Sequence, residues 1–211
     1  TSGRISRALA QFVRSIVLVR SGFDDGMVAT GDIGKPFAGF TMQENQGKAL
    51  FLGKAGCAAC HLDNGPPPAG TLPGEPVPRV NLGIFFLDFA TNNGLPQAAG
   101  DDDGGVGDVS GNPADAGRFK SPSLRNVALT GPYMHDGRFD SLEEVVDHYD
   151  SGVEAGPNLD PRLRVPGTNE PRKLNLSAAE KAALIAFLGT LTDEQLLEDP
   201  RYSSPFVSQA D

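Results

Sequence analysis

The sequence predicts a mainly α-helical fold in which short helices are joined by long loops. Three helix-start signals recur along the chain, each a Ser or Thr followed three residues later by Glu, the pattern of a capping box. Residues 64–117 are rich in Gly, Pro, Asn and Asp and have little periodicity, which predicts a long ordered loop. With 211 residues, the chain has the length of one domain with a short appendage.

The capping boxes locate three helices. These begin after Thr41, Ser141 and Ser177 and are expected to run to about Leu52, Tyr149 and Gly189. A fourth, shorter helix is expected to begin after Ser121, where Pro122 occupies the first helical position, and to end near Asn126.

Near the start of the chain, residues 5–19 predict an amphipathic helix in need of a partner. Their apolar side chains recur at helical spacing and are Ile5, Leu9, Phe12, Val13 and Ile16. The segment 22–26 contains two glycines and is expected to end this helix, with a loop following as far as Thr41.

Composition excludes two classes of function. A formal net charge of −9 and a pI near 4.8 leave no basic patch for nucleic acid, so a basic or mixed-charge protein is the expected partner. The longest apolar run near the start, residues 16–19, is far too short to span a membrane. Because the sequence begins at Thr1 with no signal-peptide pattern, we expect a mature or truncated chain.

The two cysteines of the chain fall in one short motif, Cys57-Ala58-Ala59-Cys60-His61. Two thiols that can bond covalently to porphyrin vinyl groups, followed by an imidazole that can reach the iron, are the signature of c-type haem attachment. A thioredoxin-like dithiol would need a βαβ setting, and a zinc site would need two further ligands. The motif therefore predicts a cytochrome c-like domain around one covalent haem c, with His61 as the first axial ligand. Attachment of this kind implies export, so we expect a periplasmic protein.

A second, longer pattern lies downstream of this motif. It comprises residues 119–137, which end in Pro-Tyr-Met-His-Asp-Gly, residues 141–149 and residues 186–192. Together with the cysteine motif, these segments resemble the bacterial di-haem cytochrome c peroxidase and MauG family over most of residues 40–195.

The resemblance implies an enzyme with two haem domains, in which the N-terminal haem reacts with hydrogen peroxide and the C-terminal haem passes electrons. The matching residues belong to the second domain. Residues 1–25 resemble the end of the first domain, 26–200 form the cytochrome c domain and 201–211 are a tail. The expected function is therefore electron transfer for a peroxide-using oxidoreductase whose second haem lies on a domain or chain outside this sequence. An electron-donor protein or a protein substrate is the expected further partner. The alternatives are a single-haem periplasmic electron carrier and, if no haem is bound, a thiol redox protein.

The second axial ligand of the iron has several candidates. These are Met134, His135, His148 and Tyr149, with Met27 and Met42 less favoured. On the helix after Ser141, the apolar stripe ends at Tyr149, which is expected to face the core, whereas His148 falls on the solvated side and is the weaker candidate.

The resemblance also favours Tyr149, because the family's distal ligand lies 14 positions after the histidine at His135. That ligand is methionine in typical peroxidases and tyrosine in MauG. A thioether favours ferrous iron, whereas a phenolate favours ferric and higher oxidation states.

Other residues are assigned supporting roles. Arg125 and Lys120 could pair with haem propionates, since the resemblance places their segment near the haem; the alternative for each is an exposed surface cation. Family members bind Ca²⁺ through backbone carbonyls that correspond to Thr130 and Pro132, together with an asparagine of the first domain. His135 is expected to form hydrogen bonds beside the haem rather than to bind iron.

Overall fold

A computed structural model describes residues 1–61, 90–96 and 102–204 of the chain. This part is mainly helical, with one small two-stranded sheet. The elements are α1 (Ser2–Ser15), α2 (Gly22–Thr30), α3 (Met42–Leu52), α4 (Ala58–His61), β1 (Ala90–Thr91), α5 (Val106–Ser110), β2 (Phe119–Lys120), α6 (Leu142–Asp147), α7 (Ala178–Gly189) and α8 (Glu194–Leu197). Much of the loop expected over residues 64–117 lies outside the described residues.

The capping boxes predicted all three helix starts correctly. The hydroxyls of Thr41, Ser141 and Ser177 each accept a hydrogen bond from the backbone N–H three residues later, and the glutamate at that position closes the box. By contrast, the helix expected over Ser121–Asn126 is absent, and a single 3₁₀ turn follows at Val127–Leu129 instead. Asn126 has a φ of 57°, in the left-handed region, which no α-helix can contain.

The core forms where α3 crosses α7. Gly47 permits this crossing, since a Cβ atom there would lie 1.8 Å from the backbone oxygen of Ala183. Phe51 and Phe187 contact each other with their ring centroids 5.2 Å apart and their planes tilted by 59°, and Phe23 contacts Phe187 edge-on at 6.1 Å. The crossing supplies one wall of the candidate site.

The loop expected over residues 22–41 is wrong in its first part, where α2 forms. Ser21 and Asp24 make a capping box that uses aspartate in place of glutamate. Phe23 and Met27 of this helix are buried in the core. Gly26 lies against Phe37, where a Cβ atom would come within 2.0 Å of the ring, so glycine here serves packing rather than a turn. The predicted division between residues 25 and 26 therefore passes through α2.

The amphipathic helix predicted over 5–19 forms, but it ends at Ser15. None of its residues is buried, and Ile5, Leu9 and Val13 are exposed. Phe12 contacts the ring of Tyr202 edge-on at 6.1 Å, and the Tyr202 hydroxyl donates to the carbonyl of Ser15. The apolar stripe of α1 is thus largely uncovered.

The chain that follows α1 is attached to the body by Asp193, which is fully buried. Its Oδ2 atom accepts hydrogen bonds of 3.1 Å from the backbone N–H groups of both Val19 and Arg20. Beyond α8, a 3₁₀ turn spans Pro200–Tyr202, so the tail expected from residue 201 begins inside this turn; residues 205–211 lie outside the described part. Among the described helices, none combines the length and apolar character needed to cross a membrane.

Candidate functional site

The cysteine motif lies at the turn between α3 and α4. Gly56 has a φ of 71°, and a Cβ atom there would come within 2.9 Å of the Arg172 guanidinium, so glycine is required immediately before Cys57. The first turn of α4 then closes with a 3.0 Å hydrogen bond from the His61 N–H to the Cys57 carbonyl. This turn places both thiols and the imidazole on one short rigid segment.

The two cysteines are free thiols, and both are partly buried. Burial raises the pKa of Cys57 to about 12, and it also raises that of Cys60. Since only the thiolate is nucleophilic, these values disfavour a thioredoxin-like dithiol, which needs a depressed pKa. Within the described ranges, no group of three or more His, Cys, Asp or Glu side chains is placed to hold a metal ion, so the zinc alternative has no support there.

His61 is oriented by a hydrogen bond on one side of its ring. Its Nδ1 atom lies 3.1 Å from the backbone oxygen of Pro122, and because a carbonyl only accepts, Nδ1 carries the proton. Burial lowers the pKa of His61, which favours the neutral ring. The Nε2 lone pair is then available to a metal, in the arrangement usual for histidine ligands.

Cys57 and His61 line a cavity of about 380 Å³. Its apolar walls come from α3, α6 and α7 and from the segment 124–127, and include Phe51, Leu124, Leu142, Val146, Leu184 and Leu188. Polar groups are contributed by Thr91, Asn93, Lys120, Ser121 and His135. Cys60 lines a second, smaller cavity of about 80 Å³, which shares Cys57, His61 and Tyr149 with the first. A mainly apolar site with two thiols, a metal-binding imidazole and a few polar groups fits the chemistry of haem c.

Tyr149 lines the same cavity. The α-helix that begins after Ser141 gives way at its end to a π-helical turn over His148–Gly152, and Tyr149 lies in that turn. Its hydroxyl contacts the side-chain amide nitrogen of Asn93 at 3.4 Å. Burial raises the pKa of Tyr149 to about 12 against the opposing effect of this contact. The inward orientation expected of Tyr149 is confirmed, whereas its role as an iron ligand stays a prediction.

The solvated position expected for His148 is wrong. Its side chain is only 5% exposed, and its Nε2 atom lies 3.1 Å from the backbone oxygen of Asn93. The helical wheel failed because it takes no account of other segments: the carbonyl of Asn93 and the ring of Phe139, whose centroid lies 5.9 Å from that of His148, pack against this side chain. His148 is not among the residues that line the cavity.

The remaining distal candidates are scattered. Met134 lines the cavity, with its sulfur 3.6 Å from the amide nitrogen of Asn93. His135 also lines it and stacks on Phe119, with the ring centroids 3.8 Å apart. Met27 is buried in the core and Met42 is 91% exposed, and neither reaches the cavity.

Arg125 forms a nearly buried ion pair with a carboxylate of the protein. Its guanidinium forms two hydrogen bonds of 2.8 and 2.7 Å to the carboxylate of Asp24, and both side chains are nearly buried. Arg125 is not a cavity residue, whereas Lys120 is. The sequence did not indicate this partner, because α2, the helix that carries Asp24, was not predicted. The pairing of Arg125 with a haem propionate stays a prediction.

Three residues near the site had no sequence signal. Asn93 lies in the aperiodic region between the motifs. Arg162 donates from Nη1 to the carbonyl of Ala59 at 2.8 Å, and Arg172 donates from Nη2 to that of Ala55 at 3.1 Å. Both arginines therefore brace the segment that carries the cysteines. Recognising them requires the fold, since they lie more than 100 positions away in sequence.

Thr130 and Pro132 are both exposed and flank Gly131. Two carbonyls are far fewer than the six to eight oxygen ligands that Ca²⁺ takes, so other groups would have to complete such a site.

No protein-family model matches the chain. It is 37% identical over 207 residues to cytochrome-c peroxidase IdrP2 of Pseudomonas sp. (strain SCT), a match that covers 93% of this chain and 51% of the relative. It is also 36% identical over 192 residues to methylamine utilization protein MauG of Methylorubrum extorquens, covering 90% of this chain and 44% of that protein. The chain thus spans about half the length of the curated relatives it matches.

Solved structures give the same result. A MauG-like protein associated with microbial copper homeostasis aligns with a TM-score of 0.60 and 36% identity, over 89% of this chain and 56% of that one. The diheme peroxidase BthA from Burkholderia thailandensis aligns with a TM-score of 0.59 and 25% identity, over 87% and 49%. Over most of its length, the chain is therefore homologous to the bacterial di-haem cytochrome c peroxidase and MauG family.

Proposed function

We propose that this chain is the electron-transfer haem c domain of a two-haem oxidoreductase that uses hydrogen peroxide at a second haem outside this sequence. The observation that carries the proposal is the convergence of Cys57, His61 and Tyr149 on one apolar cavity. A peroxide-reacting haem needs an open coordination position, whereas a relay haem with ligands on both sides has none to offer.

The residues of the cavity have distinct roles toward the cofactor. Cys57 and Cys60 would hold it covalently, His61 would bind the iron through Nε2, and Lys120, a cation that lines the cavity, would pair with a propionate. When bound, haem c supplies reversible one-electron transfer. The apolar walls would keep water from the bound haem, which would lower the local dielectric and raise the influence of each ligand on the reduction potential.

Tyr149 is proposed as the distal ligand. A phenolate is an anionic donor and would favour the ferric state, as befits a site that stores an oxidising equivalent. The measurement is the ferric spectrum of Tyr149→Phe in the haem-loaded chain, and an unchanged low-spin spectrum would exclude this ligand.

A second haem domain is the proposed neighbour of this chain. Two observations support it: the chain covers only about half of its relatives, and the apolar stripe of α1 is left uncovered. The acidic net charge suits a basic or mixed-charge electron donor or protein substrate. Because c-type attachment takes place outside the cytoplasm, the proposed location is the periplasm.

The proposal includes a calcium site. Thr130 and Pro132 are exposed, so a neighbouring domain could add ligands to their carbonyls. No step of electron transfer depends on this ion.

The experiment that tests the function compares this chain with the protein made from its complete coding sequence. We expect one haem in the chain and no peroxide turnover, but two haems and turnover in the complete protein. Replacing both Cys57 and Cys60 with serine in the complete protein should remove one of the two haems and stop turnover supported by an external donor. One haem and no peroxide consumption in the complete protein would instead identify a single-haem electron carrier.

A further inference from the structure

We propose that Asn93 is a positioning residue that selects the distal donor of this site, holding the oxygen of Tyr149 toward the iron in preference to the sulfur of Met134. This inference rests on the proposed haem site and adds to it a second resident donor and a residue that decides between the two.

The geometry places both donor atoms on one amide group. The Nδ2 atom of Asn93 lies 3.4 Å from the Tyr149 hydroxyl and 3.6 Å from the Met134 sulfur. All three side chains line the cavity that contains His61. Since both atoms contact a single nitrogen, the oxygen and the sulfur are close neighbours, and each is a possible ligand for the same metal.

Asn93 is held firmly in place by the segment that carries Tyr149. Its backbone oxygen contacts Nε2 of His148 at 3.1 Å, and its Oδ1 atom accepts a 3.2 Å hydrogen bond from the N–H of Leu95. The next residue, Gly94, has a φ of 67° and accepts a 2.8 Å hydrogen bond from the N–H of Glu154. The amide is therefore fixed relative to the π-helical turn on both sides.

The backbone conformation of Met134 is a separate indication that its side chain has a functional role. Met134 has a φ of 72°, in the left-handed region that side-chain-bearing residues other than Asn and Asp seldom adopt. Neighbouring contacts impose this conformation: the N–H of Tyr133 donates to the carbonyl of Phe139 at 2.7 Å, and its hydroxyl donates to that of Val127 at 2.8 Å. Strain of this kind is retained mainly at functional sites.

The two contacts of the amide differ in strength. A thioether sulfur is a weak hydrogen-bond acceptor, whereas a phenol oxygen is an ordinary one. The amide of Asn93 therefore holds the Tyr149 oxygen more firmly than it holds the Met134 sulfur. Removing the N–H donor should weaken the binding of the Tyr149 oxygen to the iron. The Met134 sulfur could then compete for the same position.

The test uses the haem-loaded chain, with far-UV circular dichroism and haem content as measures of folding. Asn93→Leu removes the donor, and Asn93→Asp removes it while keeping the acceptor for the N–H of Leu95. Asn92→Leu is the matched control. The Asn92 side chain accepts a hydrogen bond from the N–H of Gly94 and donates one to the carbonyl of Ala116, rather than to the Tyr149 oxygen or the Met134 sulfur.

In both Asn93 variants, we expect the phenolate-to-iron charge-transfer band of the ferric state to lose most of its intensity. A thioether–iron band should appear and the reduction potential should rise. The new band should vanish in the double variant Asn93→Leu/Met134→Leu, and Asn92→Leu should keep the wild-type spectrum. Wild-type spectra in Asn93→Leu and Asn93→Asp would overturn the proposal.

A second arm leaves Asn93 in place and so does not depend on how its variants fold. In Tyr149→Phe, the sulfur should take the iron, and Tyr149→Phe/Met134→Leu should lose that signal. If Tyr149→Phe leaves the ferric spectrum unchanged, tyrosine ligation itself fails. If the spectrum changes but no thioether signal appears, tyrosine ligation stands, and only the proposed roles of Met134 and Asn93 are refuted.

Discussion

The buried ion pair between Asp24 and Arg125 makes a measurable contribution to stability. Replacing Arg125 with methionine keeps apolar volume but leaves the Asp24 carboxylate buried without its cation. Breaking a buried pair in this way costs about 3–5 kcal/mol. Asp24 would keep hydrogen bonds from the N–H of Ser21 at 3.0 Å and from its hydroxyl at 2.7 Å. We therefore expect the lower end of the range, about 3 kcal/mol, or a fall in Tm of roughly 6–12 °C for a chain of this length.

The effect should depend on pH in a defined direction. Burial alone would raise the pKa of Asp24, but hydrogen bonds from Arg125 and Ser21 outweigh burial and hold the pKa below its ordinary value of 3.8. A carboxyl with a depressed pKa stabilises the fold above its unfolded pKa, and this contribution is lost as pH falls through the folded pKa. The stability difference between wild type and Arg125→Met should therefore shrink as the pH falls below about 4.

The assay is urea denaturation of the haem-loaded chain at several pH values, followed by far-UV circular dichroism because the sequence has no tryptophan. Lys35→Met is the matched control, since it breaks an exposed pair with Asp32 at 3.9 Å, and exposed pairs contribute about 0–1 kcal/mol. If Arg125→Met left the stability unchanged and shifted the reduction potential instead, the guanidinium would serve the haem and this reasoning would be refuted.

Three further predictions concern packing, attachment and calcium. Gly47→Ala should lower the free energy of unfolding by about 3 kcal/mol or more, because its Cβ would meet the oxygen of Ala183. Gly3→Ala on exposed α1, where nothing lies within 4 Å, should instead raise it by about 0.5–1 kcal/mol. Urea denaturation of the two variants measures both changes. Cys57→Ser should retain haem through the single thioether at Cys60, seen as a weaker haem stain on a denaturing gel; complete loss would contradict this. A calcium chelator should leave the ferric spectrum of this chain unchanged but lower the peroxide turnover of the complete protein, and unaffected turnover would argue against the ion.

Local signals accounted for much of the fold and for the centre of the site. The boxes at Thr41, Ser141 and Ser177 marked helix starts correctly, because the bonds that they form join residues only three apart. The haem motif could also be predicted from the sequence, since both cysteines and the histidine belong to one turn. The helix α2 was missed because Gly26, a turn signal by sequence, instead permits close packing against Phe37.

Contacts between distant segments were beyond the reach of such signals. The partner of Arg125 is Asp24, about 100 positions earlier, and neither residue stands out in the sequence. His148 was assigned to the surface because a helical wheel takes no account of distant segments, such as the one around Asn93 that packs against this side chain.

By itself, the sequence determined that this protein has a helical fold and a c-type haem motif, because both depend on residues that are neighbours in the chain. Only the tertiary structure decided how the motif is completed. It brought the carbonyl of Pro122 to His61, the amide of Asn93 to Tyr149 and Met134, and two distant arginines to the cysteine segment. These contacts join segments that are far apart in the chain, and such packing depends on the shapes of side chains that only the folded structure brings together.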